Sequence, residues 1–369
     1  MNCSPHIVWY LTAHGYGHGV RSTAVMQALR RECPEVRLTI VSSLPEDFLR
    51  DRLRGFPDGN LEFRGSPYDV GLVQLDSVRA DIPSTLERVE FHLIQRPSLY
   101  HYETAWLLAT YPSAVVADIP ALPLAAAARA KLPSIAIGNF SWDWIYAPYA
   151  ETDPRWRPAV EAFRADYANA DILLQYPLSP DMSATFPRRK RIPLPSRPGR
   201  PRRTELASRT GADPARRWIL LSFTTLDWTP DALARVTTNR DTEFFTVRPL
   251  EWPGIPNIHA VERSEFPFSD IVATVDAVLS KPGFGILADC AANDTPLIYA
   301  DREKFAEYPV LERAIKQYFR HVHIPAADLY AGDLSPSLDA LASARRPRRC
   351  LPLGGDIAAA REILCRAGC

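Results

Sequence analysis

The stretch VDAVLSKPGFGILADCAANDTPLIYA, from Val275 to Ala300, decides how the rest of the chain is read. Its apolar run Val275 to Leu279 predicts a buried strand, Gly283 and Gly285 a tight turn, and the residues after them an apolar helix. Asp294-Thr295-Pro296 then leads into a second strand, Leu297 to Ala300. Glycines between a strand and a helix let backbone N–H groups come close to a phosphate, and the new helix adds the positive end of its dipole. Lys281, Pro282, Gly283, Phe284 and Gly285 are therefore expected to bind an anionic group. Asp289 follows Gly283 by six residues, about one and a half helical turns. A carboxylate there could accept from both hydroxyls of a ribose. A plain turn is the bland alternative.

The amino terminus repeats the pattern. Ile7 to Leu11 predicts a strand, Thr12 to Gly19 forms a loop with three glycines, and Val20, Ala24, Val25, Ala28 and Leu29 mark one face of a helix. Gly15 and Gly17 join the expected donor-binding groups. The loop brings His14 and His18 to the carboxyl end of the first strand, the edge at which open parallel sheets bind ligands. A histidine can titrate near neutral pH, which makes His18 the candidate general base; His14 is placed with the acceptor. Alternating strands and helices continue the α/β pattern: strands at Val36 to Val41, Leu61 to Phe63 and Ala114 to Ala117, helices at Glu46 to Leu53 and Ala121 to Ala130. Asp118 ends one of these strands and is the second catalytic candidate. Tyr68 to Ser77 reads as a loop whose aspartates either face the ligand or cap helices. Gly138 to Tyr146, GNFSWDWIY, reads as an aromatic and polar loop. Trp142 and Asp143 in it either meet the acceptor or serve packing.

Composition narrows the class. The 369 residues are 46% hydrophobic and 23% charged, which suits two ordinary globular domains. Lys+Arg and Asp+Glu both number 43, so no global field recruits nucleic acid. The amino terminus lacks a basic region of the signal-peptide kind, and no apolar run is long enough to span a membrane. Six cysteines without a CxxC pair indicate neither a zinc site nor a disulfide framework, and a cytoplasmic setting is expected.

GHGVR at Gly17 to Arg21, ADIPALPLAAAARA at Ala117 to Ala130, NFSWDWIYAPY at Asn139 to Tyr149 and KPGFG at Lys281 to Gly285 carry a resemblance. The chain resembles the GT-B glycosyltransferases, in particular the amino-terminal glycosyltransferase-like region of plant-type L-arabinokinases and the stand-alone bacterial proteins of that group. More distantly it is similar to the lipid II-forming N-acetylglucosaminyltransferase. No sugar-kinase region follows, so kinase activity is not implied. The resemblance implies an α/β, GT-B architecture, two Rossmann-like domains whose parallel sheets face a cleft. It also implies a histidine matching His18 at the reaction centre and an acidic residue matching Asp289 on the donor's ribose. Polar residues after the strand Leu297 to Ala300 bind the transferred sugar in such enzymes, which makes Glu303 and Glu307 candidates; a solvated loop is the rival reading. Arg248, at the end of the strand Phe244 to Val247, either meets a phosphate or pairs with a carboxylate.

The expected boundaries are an acceptor domain over 1–195, a nucleotide-sugar domain over 204–350, and a carboxyl-terminal helix in 351–369 that crosses back to the first domain. Between them RRKRIPLPSRPGRPRR, Arg188 to Arg203, has eight basic residues and no acidic ones. It reads as a linker, with peripheral contact to anionic lipid head groups as its second use. Ser222 to Asp227, SFTTLD, departs from the family pattern by placing hydroxyls where many relatives have glycines against the diphosphate. The expected function is metal-independent transfer of a sugar from a nucleotide-diphosphate sugar, UDP-type donors included, to a small-molecule or lipid-linked acceptor, with no cofactor and no nucleic acid. The alternative is a sugar-nucleotide-binding protein without turnover. A dinucleotide oxidoreductase fits less well, since neither half has GxGxxG after its first strand.

Overall fold

The computed structural model describes residues 4–57, 59–65, 68–75, 79–195, 198–302, 305–347 and 349–369. It divides into two compact units, Met1–Val73 with Asp81–Pro195 and Pro352–Cys369, and Gln74–Ala80 with Ser196–Leu351. The fold is GT-B in class, an α/β parallel sheet in each unit.

The first unit runs β1 (His6–Leu11), α1 (Tyr16–Glu32), β2 (Arg37–Ser42), α2 (Glu46–Arg52), β3 (Leu61–Arg64), α3 (Ile82–Thr110), β4 (Ala114–Asp118), α4 (Leu122–Arg129), β5 (Ser134–Gly138), α5 (Trp142–Thr152), α6 (Arg157–Tyr167), β6 (Ile172–Gln175) and β7 (Arg189–Arg191). The strands order as β3-β2-β1-β4-β5-β6-β7, all parallel. Central strands of such a sheet are covered on both faces and so are apolar throughout. Ile7, Val8, Trp9 and Tyr10 of β1 and Ala114 to Ala117 of β4 are accordingly fully buried.

The second unit runs α7 (Arg203–Thr210), β8 (Arg217–Ser222), α8 (Pro230–Thr237), β9 (Thr242–Val247), β10 (Ile258–Val261), α9 (Phe268–Thr274), β11 (Ala277–Ser280), α10 (Phe284–Asn293), β12 (Leu297–Ala300), α11 (Tyr308–Tyr318), β13 (His321–Ile324), α12 (Ala326–Ala331) and α13 (Ser335–Ser343). Its order, β10-β9-β8-β11-β12-β13, repeats the first. In each sheet the order reverses once, between β1 and β4 and between β8 and β11. Ligands of doubly wound sheets bind outside the carboxyl ends of the strands at that reversal. The two glycine loops named from sequence follow β1 and β11, so each stands at a switch point.

α14 (Gly355–Arg366) belongs to the first unit and packs along α1. Ala359, Ala360, Ile363 and Leu364 complete the core formed by β1, β2 and α1. Gly355 is required there, since a Cβ would stand 2.0 Å from the Pro193 carbonyl oxygen.

Three expectations are corrected. The aromatic loop is mostly helix, because α5 begins at Trp142; Pro148 and the aromatic run hide its period. The basic stretch is not a plain linker: Arg189–Arg191 forms the edge strand β7. Arg188, Arg189, Lys190, Arg200, Arg202 and Arg203 each pair with a carboxylate, of Asp171, Asp181, Glu362, Glu205, Glu205 and Asp276 respectively. Most of the charge offered to lipid is thus neutralised within the protein. Finally, Cys369 is disulfide-bonded, while Cys290, Cys350 and Cys365 are free. Spacing could not reveal this, because α14 returns the last residues to the first unit. No helix among the described residues is long and apolar enough to cross a membrane.

Candidate functional site

At the first switch point, β1 passes into α1 through Thr12 to Gly15, and β4 ends beside it. The Thr12 N–H donates to the Asp118 carbonyl at 2.8 Å, so the two strand ends are tied at the level of the site. His18 is in the first turn of α1, and the residue is 8% exposed, against 0% for Asp118. His18 Nδ1 is 2.8 Å from Asp118 Oδ1. A carboxylate only accepts, so Nδ1 carries the proton and the lone pair is at Nε2. The Phe140 ring meets the imidazole edge-on at 5.6 Å.

Two residues that were not singled out from sequence complete the cluster. Arg21, one turn along α1 from His18, donates through Nε to Asp118 Oδ2 at 2.8 Å and through Nη2 to Oδ1 at 2.5 Å. Its Nη1 donates to Asn139 Oδ1 at 2.6 Å, and its guanidinium lies over the Tyr176 ring. Ser22 Oγ donates to Asp118 Oδ2 at 2.7 Å. Both were legible as the i+3 and i+4 neighbours of His18 on one helix face. Burial alone would raise the Asp118 carboxyl. Arg21 and His18 outweigh it and hold the group well below the usual carboxylate range. Burial, joined by the Arg21 guanidinium and opposed by Asp118, lowers His18 below its ordinary value. At neutral pH the pair is a neutral imidazole beside a carboxylate, which is the state a general base requires.

Gly15 caps α1 in an extended conformation, with no side-chain cap and no acidic residue in the first turn. At Gly15 and Gly17 a Cβ would meet nothing within 4 Å, so their backbone is open to a ligand. His14 is held by the loop after β3 and by α5. Its Nδ1 accepts from the Leu72 N–H at 3.1 Å, and its ring abuts Trp142 at 5.2 Å. Gly71 makes this approach possible: at φ +73° its missing Cβ would stand 2.4 Å from His14 Nδ1.

The proposed acceptor contacts of Trp142 and Asp143 are corrected. Trp142 is 0% exposed and stacks on Tyr146, and its Nε1–H donates to Asp69 Oδ2 at 2.8 Å. It has no face to offer a ligand. Asp143 is buried against Arg164 and Thr185, at 3.2 and 2.7 Å. Asp69 does not cap a helix either. Burial, against hydrogen bonds from Thr12 and Trp142, pushes its carboxyl up to about 6. Asp76 and Ser77 lie outside the described residues.

In the second unit Gly283 caps α10, again extended, without a side-chain cap or an acidic first turn. Lys281 is half-buried, Pro282 buried, and Phe284 and Gly285 open the helix. Asp289 is half-buried on the same helix, about 7.5 Å along the axis from Phe284 at 1.5 Å per residue. Arg302, also unnoticed in the sequence, joins this loop to Glu307. Its Nη1 donates to the Pro282 carbonyl at 3.3 Å and lies 3.6 Å from Glu307 Oε1. Glu307 is buried, and its Oε2 finds no hydrogen-bond donor among the described residues. Glu303 lies outside the described residues. Arg248 pairs with Glu251 at 2.7 Å and Glu262 at 3.0 Å, so its charge is met by carboxylates and not held ready for a phosphate. Thr224 and Thr225 are exposed after β8, while Phe223 and Leu226 anchor that loop in the core. Among the described residues no cluster of three or more His, Cys, Asp or Glu is placed to hold a metal ion.

No family model matches the chain. L-arabinokinase of Arabidopsis thaliana is 27% identical over 365 residues, 96% of this chain and 34% of that protein. The chain therefore spans about a third of that relative's length. A UDP-glucosyltransferase from Polygonum tinctorium, capable of glucosylating indoxyl and solved with 3,4-dichloroaniline, is similar in structure at a TM-score of 0.65 and 13% identity, over 100% of both chains. Arabidopsis thaliana UGT89C1 in complex with quercetin is similar at a TM-score of 0.64 and 12% identity, over 98% of this chain and 94% of that one. At such identities the likeness establishes the GT-B fold.

Proposed function

We propose that the protein is a glycosyltransferase that moves a sugar from a nucleotide-diphosphate sugar to an acceptor hydroxyl without a metal ion. The single observation that carries this reading is the dyad at the first switch point: Asp118 fixes Nδ1–H of His18 and leaves Nε2 as the base. In the step, Nε2 takes the acceptor's proton as its oxygen bonds to the anomeric carbon. The nucleoside diphosphate departs with the electrons of the broken C–O bond. The leaving diphosphate would be met by the uncapped N-terminus of α10 and Lys281, which supply positive potential where charge develops. Asp289 is assigned to the ribose, and Glu307, held by Arg302, to the transferred sugar. UDP-sugars are the first donors to test, because the Polygonum tinctorium protein of the same fold is a UDP-glucosyltransferase. The acceptor is a small molecule or a lipid-linked one.

A second reading, nucleotide-sugar binding without turnover, is favoured by one feature, the loop after β8. There Thr224 and Thr225 stand where glycines would bring the backbone against a diphosphate. The test is thermal unfolding in EDTA with UDP, other nucleoside diphosphates and UDP-sugars. A ligand at a hundred times its Kd adds about 2.7 kcal/mol, a clear rise in Tm. A shift with at least one of them in EDTA is expected; a shift only with magnesium would end the metal-free reading.

A further inference from the structure

Arg21 has no part in the proton transfer proposed above, yet it makes more contacts to the dyad than any other side chain named here. Its guanidinium holds both oxygens of Asp118, at 2.8 and 2.5 Å. The same Nη2 lies 2.9 Å from His18 Nδ1. Since Nδ1 already carries the proton given to Asp118, this last contact brings two donors together and is no hydrogen bond. A permanent cation thus stands against the edge of the base. The guanidinium cannot drift away, because Asn139 Oδ1 accepts from Nη1 at 2.6 Å and the Tyr176 ring lies across its face. Asn139 is itself fixed, donating to the Pro177 carbonyl at 2.6 Å.

Asp118 by itself would favour an imidazolium at His18, and a base that is already protonated accepts nothing. A bidentate arginine on that carboxylate cancels most of its charge while keeping its geometry. We propose that Arg21 is a positioning residue for the His18 base: it clamps Asp118 and keeps the imidazole neutral, with its lone pair at Nε2, until the acceptor proton arrives. The charged groups that face His18 are Arg21 from α1 and Asp118 from β4; Asp69, in the loop after β3, is near enough for the Asp118 charge to raise it. Phe140 on the remaining side is uncharged. Burial and the Arg21 charge lower the imidazole, in agreement with this arrangement.

The inference rests on His18 being the base, but its test reads protonation and not turnover, so the two fail separately. Protein labelled with 15N-histidine is titrated by NMR, and the His18 signal, one of eight histidines, is identified by its loss in His18→Gln. In the wild type His18 should remain neutral below the ordinary histidine range, with the proton on Nδ1. Arg21→Met should raise its midpoint by about one unit or more, since Asp118 then acts unopposed. Arg21→Lys, which restores a charge, should return at least half of that shift. Should Arg21→Met fail to fold, Asn139→Ala releases the guanidinium and is expected to move the midpoint upward as well. An unchanged midpoint in the folded variants, a lysine variant that shifts as far as the methionine one, or a wild-type proton on Nε2 would overturn the proposal.

Discussion

Arg21 and Asp118 form a two-point ion pair, Nε to Oδ2 at 2.8 Å and Nη2 to Oδ1 at 2.5 Å, that joins the first helix to the fourth strand. Both side chains are almost wholly buried. Breaking a buried pair from one side leaves an uncompensated charge, at a cost of about 3–5 kcal/mol, whereas removing both partners costs much less. Asp118→Asn and Arg21→Met should each lower stability by about that amount. The double variant should lose much less stability than the sum of the two single losses. Urea unfolding of the four proteins gives the coupling, and simple additivity would show that the pair is not a unit.

His92 gives the fold a pH dependence unconnected with catalysis. It is buried on α3, stacked on Phe163 at 6.0 Å, and burial, with Arg96 adding to it, lowers its pKa to about 4. A lowered folded pKa means that the unfolded chain takes up a proton first. The stability from neutral His92 is complete above the unfolded value, 6.5, and is lost as pH falls from there toward about 4. At 1.36 kcal/mol per unit this comes to about 3 kcal/mol. Asp69, raised to about 6, works in the opposite sense over part of the window, so the comparison must be with a variant. His92→Phe should lose less stability than the wild type between pH 7 and pH 4.5. Parallel curves of Tm against pH would remove His92 as the cause.

What could be read from the chain followed from local chemistry. The paired strand, glycine loop and helix at Ile7 to Leu29 and at Val275 to Asn293 require neighbours only in sequence, and they put His18 and Gly283 at the correct sheet edge. Asp118 was legible as a strand end. Its bond to His18 spans a hundred residues and depends on β1 and β4 being adjacent, which no local pattern encodes. The error at Trp142 has a physical source. A loop rich in tryptophan and tyrosine has the same composition whether it stacks on a ligand or packs inward. Burial decided it, with Asp69 accepting the indole N–H. At Arg248, where a phosphate or a carboxylate partner could both be read from the sequence, the structure shows Glu251 and Glu262 beside the guanidinium.

Asp289 can be tested without knowing the acceptor. An ionised carboxylate accepting from ribose hydroxyls gains roughly 1.5–3 kcal/mol, so Asp289→Ala should weaken the best ribonucleotide by about tenfold to a hundredfold. The 2′-deoxy form should lose much less, because part of the contact is already missing. Calorimetric titration of both forms into both proteins measures the coupling. Equal losses for the two ligands would place Asp289 elsewhere than at the ribose.

The central claim is that His18 is the base of a sugar transfer, and donor hydrolysis, with water as the acceptor, tests it most directly. Wild-type protein in EDTA should release nucleoside diphosphate from at least one nucleotide sugar. His18→Gln should slow that release by about a hundredfold to ten-thousandfold while binding the nucleotide with nearly unchanged Kd. Release at the same rate from both proteins would remove His18 as the base, and tight binding with no release from either would contradict the account and leave the binding protein without turnover as the correct reading.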